Sequence, residues 1–175
     1  MNFNKKKGIL FWVTGLSGSG KTAIAKKIKT QISKLYGPTI IVSGDDLRRI
    51  FNLNKYDYLS RLNYSRKFCK FAKFITNQKI NLIFAIVGMM NEPRKWNRKN
   101  IDNYLEIYIK SNIKKIISQK KKKIYFISKT KKNIVGINIK PELPKNYDIL
   151  IQNNFNKSLS KLANELISKI KKKIK

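Results

Sequence analysis

Carboxylates are what this chain has least of: nine Asp and Glu stand against 40 Lys and Arg in 175 residues, a net charge of +31. A chain so basic attracts phosphate-bearing partners. The excess, however, is mostly lysine and travels with abundant isoleucine and asparagine, three residue types with A/T-rich codons. Its runs at Lys5–Lys7, Lys120–Lys123 and Lys171–Lys173 are scattered rather than gathered on one element. The charge is therefore assigned to composition and solvated surface, and nucleic acid is not the expected partner. Cysteine is almost absent. Cys69 alone cannot form an internal disulfide, which points to a reducing, cytoplasmic setting. No apolar run approaches the ~18–20 residues of a membrane span. The start, MNFNKKKGILFWVTG, is basic and then apolar, but the apolar run is short and leads into a glycine loop, so a targeting segment is not expected. Internal repeats and Gly/Ser/Pro-rich linkers are also missing, and one domain over residues 1–175 is expected.

What is present alternates. Ile9–Val13 is an apolar run of the kind that suits a strand buried on both faces. Thr22 to Lys34 has helical spacing, with Ile24, Ile28, Ile32 and Leu35 on one stripe, and stops before Gly37-Pro38. Thr39–Val42 reads as a second strand, followed by a polar turn over Ser43–Asp46. Arg61 to Asn77 reads as a helix burying Phe68, Phe71, Ala72 and Ile75. Further strands are predicted over Ile80–Val87, Tyr104–Ile109 and Asp148–Ile151, with a short helix over Ile113–Ile117. The chain is basic and irregular from Gln119 to Lys145, and an amphipathic helix closes it within about 157–174. The expectation is an α/β fold: a five-stranded parallel sheet with helices on both faces, and the ends of the first two strands side by side.

Gly15-Leu16-Ser17-Gly18-Ser19-Gly20-Lys21-Thr22 matches G-x-x-x-x-G-K-[ST] in full, after a strand and opening a helix. Its glycines let backbone N–H groups curl around a phosphate, and the helix start adds a positive end. Lys21 supplies a cation to the β- and γ-phosphates of ATP, and the Thr22 hydroxyl can hold Mg²⁺. GTPases are excluded, because no aspartate is followed by glycine three positions later. Asn54-Lys55-Tyr56-Asp57 matches the guanine-reading N-K-x-D, but not after a late strand. Opposite the loop, Ser43-Gly44-Asp45-Asp46-Leu47-Arg48 joins carboxylate to guanidinium, as phosphoryl transfer to a hydroxyl requires. Asp45 can orient or deprotonate the acceptor and help hold Mg²⁺, and Arg48 can bind an anionic acceptor. A helix-capping aspartate with surface arginines is the structural alternative.

These segments together resemble the adenylylsulfate kinases, whose pattern is a TGLSGSGKS-type loop followed by D-G-D-N-x-R. Tyr56–Arg61 is similar to their F-S-x-x-D-R. Trp96–Ile101 and Asn103–Ile109 are similar to W-N-R-E-N-I and N-Y-F-E-V-Y-I, and Asn133–Ile137 to the N-x-x-G-I/V that closes a lid. The resemblance covers about residues 8 to 152. It implies a three-layer P-loop nucleotide kinase fold with a lid over about 119–145, and ATP- and Mg²⁺-dependent phosphorylation of a nucleotide's ribose 3′-hydroxyl. On this reading the small-molecule acceptor is adenylylsulfate; Asp45 with Lys21 is catalytic, and Arg48, Arg61, Tyr56 and Tyr64 meet the acceptor. A homodimer is a further expectation. Without the resemblance, Arg61 is a helix N-terminal charge and Tyr56 a packing aromatic. The chain departs from the pattern at Ser43 and Asp46, at Tyr64 in place of an asparagine, at Gly88 in place of a serine, and in the lysine-rich Gln119–Tyr125. Members acting on cytidine diphosphoramidate share its short layout, which makes a cytidine diphosphate derivative the alternative acceptor. A basic nucleic-acid-binding protein with a vestigial ATP site is the alternative from another class.

Overall fold

Alternation along the strands builds two cores from one sheet. In β1 (Leu10–Thr14), Phe11 and Val13 join one apolar cluster, while Leu10 and Trp12 join another on the opposite face. Both faces are covered, so the run is apolar throughout. The structure, a computed structural model, describes residues 3–119 and 133–174. Along them follow α1 (Lys21–Tyr36), β2 (Thr39–Ser43), α2 (Gly44–Ile50), α3 (Tyr58–Asn77), β3 (Asn81–Ile86), α4 (Asn91–Asn100), β4 (Tyr104–Lys110), α5 (Ile113–Ser118), β5 (Ile149–Gln152) and α6 (Leu159–Lys173).

The five strands are parallel, in the order β2-β3-β1-β4-β5. On one face Ile24, Ile28 and Ile32 of α1 pack with Leu162, Leu166 and Ile170 of α6. On the other lie Leu47 of α2, Phe68 and Ala72 of α3, and Ile101 at the end of α4. Leu35 is exposed and leaves the α1 stripe at Ile32.

Three expectations are corrected. The ends of β1 and β2 are not adjacent, because β3 runs between them and pairs Thr14 with Ile86 and Ser43 with Ala85. The polar stretch 43–46 is not a free turn but opens α2. Ser43 is the N-cap, and its hydroxyl accepts from the Asp46 N–H at 3.1 Å while the Asp46 carboxylate accepts from the Ser43 N–H at 3.0 Å. Turn and N-cap draw on the same residue types, so composition does not separate them. Helix α3 starts at Tyr58 rather than Arg61, capped by Asp57, whose carboxylate accepts from Ser60 N–H at 2.9 Å. That cap also gives the N-K-x-D match a structural role. Helix α4 went unpredicted because it buries only Pro93, Arg94 and Asn97 and so shows no apolar stripe.

Candidate active site

The phosphate loop is shaped by close approach. A side chain at Gly15 would place its Cβ 2.5 Å from the Ile109 carbonyl oxygen, and Gly20 caps α1 at φ 91°, a left-handed backbone that only glycine adopts freely. Lys21 is buried and donates from Nζ to the Leu16 carbonyl at 2.6 Å, folding back over the loop. Asn153, directly after β5, donates from Nδ2 to the Ser19 carbonyl at 3.0 Å and holds the loop from behind. The Ser19 hydroxyl is buried and has no hydrogen-bond partner among the described residues. Thr22 is exposed in the first turn of α1.

The adjacent carboxylates of α2 divide their work. Asp46 is occupied by Ser43, whose hydroxyl donates to it at 2.7 Å, and by Arg49 at 3.2 Å. Those bonds to Ser43 hold its carboxyl below the usual range. Asp45 instead is exposed and lines a cavity of about 140 Å³, where it is the only acid among the lining residues. Ser17 of the phosphate loop lines the same cavity, so loop and carboxylate face one space.

Arginine and tyrosine furnish the far wall. The Arg48 guanidinium sits 4.4 Å from the Tyr56 ring centroid and 5.1 Å from that of Tyr64, and Arg61 sits 5.3 Å from Tyr56. Backbone carbonyls fix both cations. Arg48 donates to Leu53 and Lys55 at 2.9 and 3.0 Å, and Arg61 to Tyr56 and Asn133 at 2.6 and 2.9 Å. Burial, and then the neighbouring Arg48 charge, pull the Arg61 guanidinium below its ordinary value. Two like charges held close by the fold make a place where an anion is stabilising. Arg48, Tyr56, Arg61 and Tyr64, drawn from α2, the link after it and α3, thus line one cavity.

Its floor is the exit from β3. Gly88 has φ 43°, and a Cβ there would stand 3.0 Å from Ile86 Cγ2 and 3.3 Å from Trp12 Nε1, which leaves little room for the serine of the family pattern. Residues 133–142 close the outer side with Ile134, Val135 and Ile139. Of the expected lid over 119–145, residues 120–132, the lysine run included, lie outside the described residues.

Sequence reasoning missed the buried polar framework beneath this floor. Glu106, inside β4, meets Arg94 at 3.2 Å and Arg98 at 3.3 Å, and accepts from the Tyr104 hydroxyl at 3.2 Å. Burial pushes its carboxyl up against the pull of both arginines. Arg94 also donates to the carbonyls of Gly88 at 3.0 Å and Glu142 at 2.7 Å, tying floor and outer wall to the sheet. The usable signal was a lone acid in an otherwise apolar strand. Cys69 is buried and its thiol is pushed up to about 12, which leaves it no nucleophilic role.

The sequence and the fold are similar to those of known proteins. Residues 7–152 match the family model of adenylylsulphate kinase. A cytidine diphosphoramidate kinase of Campylobacter jejuni is 33% identical over 168 residues, covering 95% of this chain and 98% of that one. An adenylyl-sulfate kinase of Clostridium kluyveri is 27% identical, covering 85% and 77%. Among solved structures, the Mycobacterium tuberculosis APS kinase CysC in complex with AMPPNP and APS superposes with a TM-score of 0.84 at 21% identity, covering 94% and 98%, which shows a shared fold. Among the described residues no helix is long and apolar enough to cross a membrane.

Proposed function

The chain belongs to the adenylylsulphate kinase family, a family of phosphotransferases, and on that premise we propose that it moves the γ-phosphate of ATP to the ribose 3′-hydroxyl of a small nucleotide. The observation that carries this reading is the shared cavity. Ser17 of the donor loop and Asp45, Arg48 and Arg61 of the acceptor side line the same space. Loop amides and Lys21 hold the β- and γ-phosphates. The buried Ser19 hydroxyl, without a hydrogen-bond partner among the described residues, fits a loop built around an anion. Asp45 takes the proton of the acceptor hydroxyl as its oxygen bonds to the γ-phosphorus and the bond to the β-phosphate oxygen breaks, releasing ADP.

Mg²⁺ suits the oxygen donors present. No cluster of three metal-ligating side chains occurs among the described residues, and an ion ligated mainly by phosphates and water needs only one or two protein oxygens. Thr22 and Asp45 would supply them, and the chemistry the ion would add is neutralisation of charge on the phosphates. The single, buried Cys69 supports a reducing compartment, the cytoplasm, for the reaction.

The acceptor we place first is a cytidine diphosphate derivative. Supporting it are the relative matched almost end to end and the departures from the adenylylsulfate pattern at Tyr64 and Gly88, both of which line the cavity. Adenylylsulfate is the second reading, favoured by the match over residues 7–152. Purified protein given ATP with cytidine diphosphate, cytidine diphosphoramidate or adenylylsulfate, and assayed for ADP, separates the two. Turnover with adenylylsulfate alone would reverse their order.

A further inference from the structure

In a chain with nine acids, Glu142 is bonded on all sides yet lines no part of the acceptor cavity. Its carboxylate accepts from the Tyr58 hydroxyl at 3.1 Å and from the Asn91 N–H at 2.6 Å. Its own N–H donates to the Met89 carbonyl at 3.0 Å, and its carbonyl accepts from Arg94 at 2.7 Å. Three elements therefore converge on one residue: the first turn of α3, the start of α4 and the exit from β3.

The bond to Asn91 has a reason of its own. The N-cap of helix α4 is Met90, which provides no side-chain cap, so the first N–H groups of the helix are unsatisfied from within it. A carboxylate arriving from another segment satisfies one of them and meets the positive helix end. The bond to Tyr58 is strong enough to raise that phenol's pKa.

Between Asn133, held by Arg61 at 2.9 Å, and Glu142 runs a short strap. It turns on its own bonds, with Ile137, Asn138 and Ile139 donating to the Ile134 carbonyl at 3.1, 2.9 and 3.1 Å. Its inward side chains are the outer wall of the cavity. Arg61 and Tyr58 line the same cavity and anchor the strap's two ends to α3, so the wall is set by the helix that carries Arg61 and Tyr64.

We propose that Glu142 is a positioning residue for the acceptor site, clasping the strap 133–142 to α3 and α4 so that the cavity is formed before the acceptor arrives. The inference rests on the kinase reading above. Glu142→Ala is expected to raise the acceptor KM about 10- to 100-fold, as for loss of a charge-assisted bond, and Tyr58→Phe about 2- to 10-fold. Glu142→Gln keeps an oxygen for Asn91 and should fall between them. The KM for ATP, read at saturating acceptor, should stay within about twofold in all three, since the donor loop lies outside these contacts.

Hydrogen exchange supplies a readout independent of the acceptor's identity. Amides of 134–140 should exchange faster in Glu142→Ala and in Tyr58→Phe than in the parent, while α1 stays unchanged. Equal rises in both KM values, or unchanged exchange across the strap, would overturn the clasp. If Glu142→Ala fails to fold, Glu142→Gln and Tyr58→Phe carry the same test. If the parent phosphorylates none of the nucleotides offered, the kinase reading fails, and exchange alone decides the clasp.

Discussion

The two halves of the proposed site are built by different means. The donor half is a single contiguous loop, 15–22, made mostly of backbone, wedged against Ile109 and held from behind by Asn153. The acceptor half is made of side chains from five places: α2, the link to α3, α3 itself, the exit of β3 and the strap. Its charges are held by carbonyls of linking segments rather than by the sheet. A phosphate is the same in every nucleotide, so a rigid backbone cradle serves it; an acceptor differs from member to member, and exposed side chains on loops can change without unfolding the core.

If the halves are separable, a substitution should strike one of them. The largest effect is expected at Asp45, which faces the cavity and, unlike Asp46, has no side-chain bond among the described residues. Asp45→Ala should lower kcat by about 10²- to 10⁴-fold with ATP affinity largely retained by equilibrium titration. A matching loss of ATP affinity would merge the halves. Glu106 lies beneath the acceptor half, tied through Arg94 to Gly88 and Glu142. Removing it leaves Arg94 buried without its partner, and Glu106→Ala is expected to lower stability by about 3–5 kcal/mol, read by chemical denaturation. Arg61→Ala should raise the acceptor KM by about 10- to 100-fold and leave the ATP KM alone, which separates its acceptor role from a generic surface charge.

The smallest effect sharpens the division within α2. Asp46→Ala removes a capping acid and should lower stability by about 1 kcal/mol with kcat retained, the reverse of Asp45. The folded carboxyl is depressed by its bonds to Ser43, so its contribution is present above the ordinary aspartate value. It is lost as pH falls through the lower folded value. Acid titration of the parent against Asp46→Asn should show a stability difference that holds above about pH 4 and shrinks as pH falls below it.

What could be read in advance follows the same division. The strands were visible because both faces are buried, and G-x-x-x-x-G-K-T names its own geometry. Asp45 and Arg48 stood out as charges at a strand's end. The strand order was not legible, since short apolar runs do not reveal that β3 inserts between β1 and β2. Nor was α4, whose buried residues are Arg94 and Asn97 in place of an apolar stripe. Asn153 and Glu142 act through long-range bonds to Ser19 and Tyr58, and no local spacing encodes such pairings.

The account turns on both halves acting on one reaction, and ADP release measured with and without a nucleotide acceptor tests this most directly. Release is predicted to require ATP together with a cytidine diphosphate derivative or adenylylsulfate, with the phosphate recovered on the 3′-hydroxyl and the reaction lost in Asp45→Ala. ADP release at the same rate without any acceptor, or full turnover by Asp45→Ala, would contradict it.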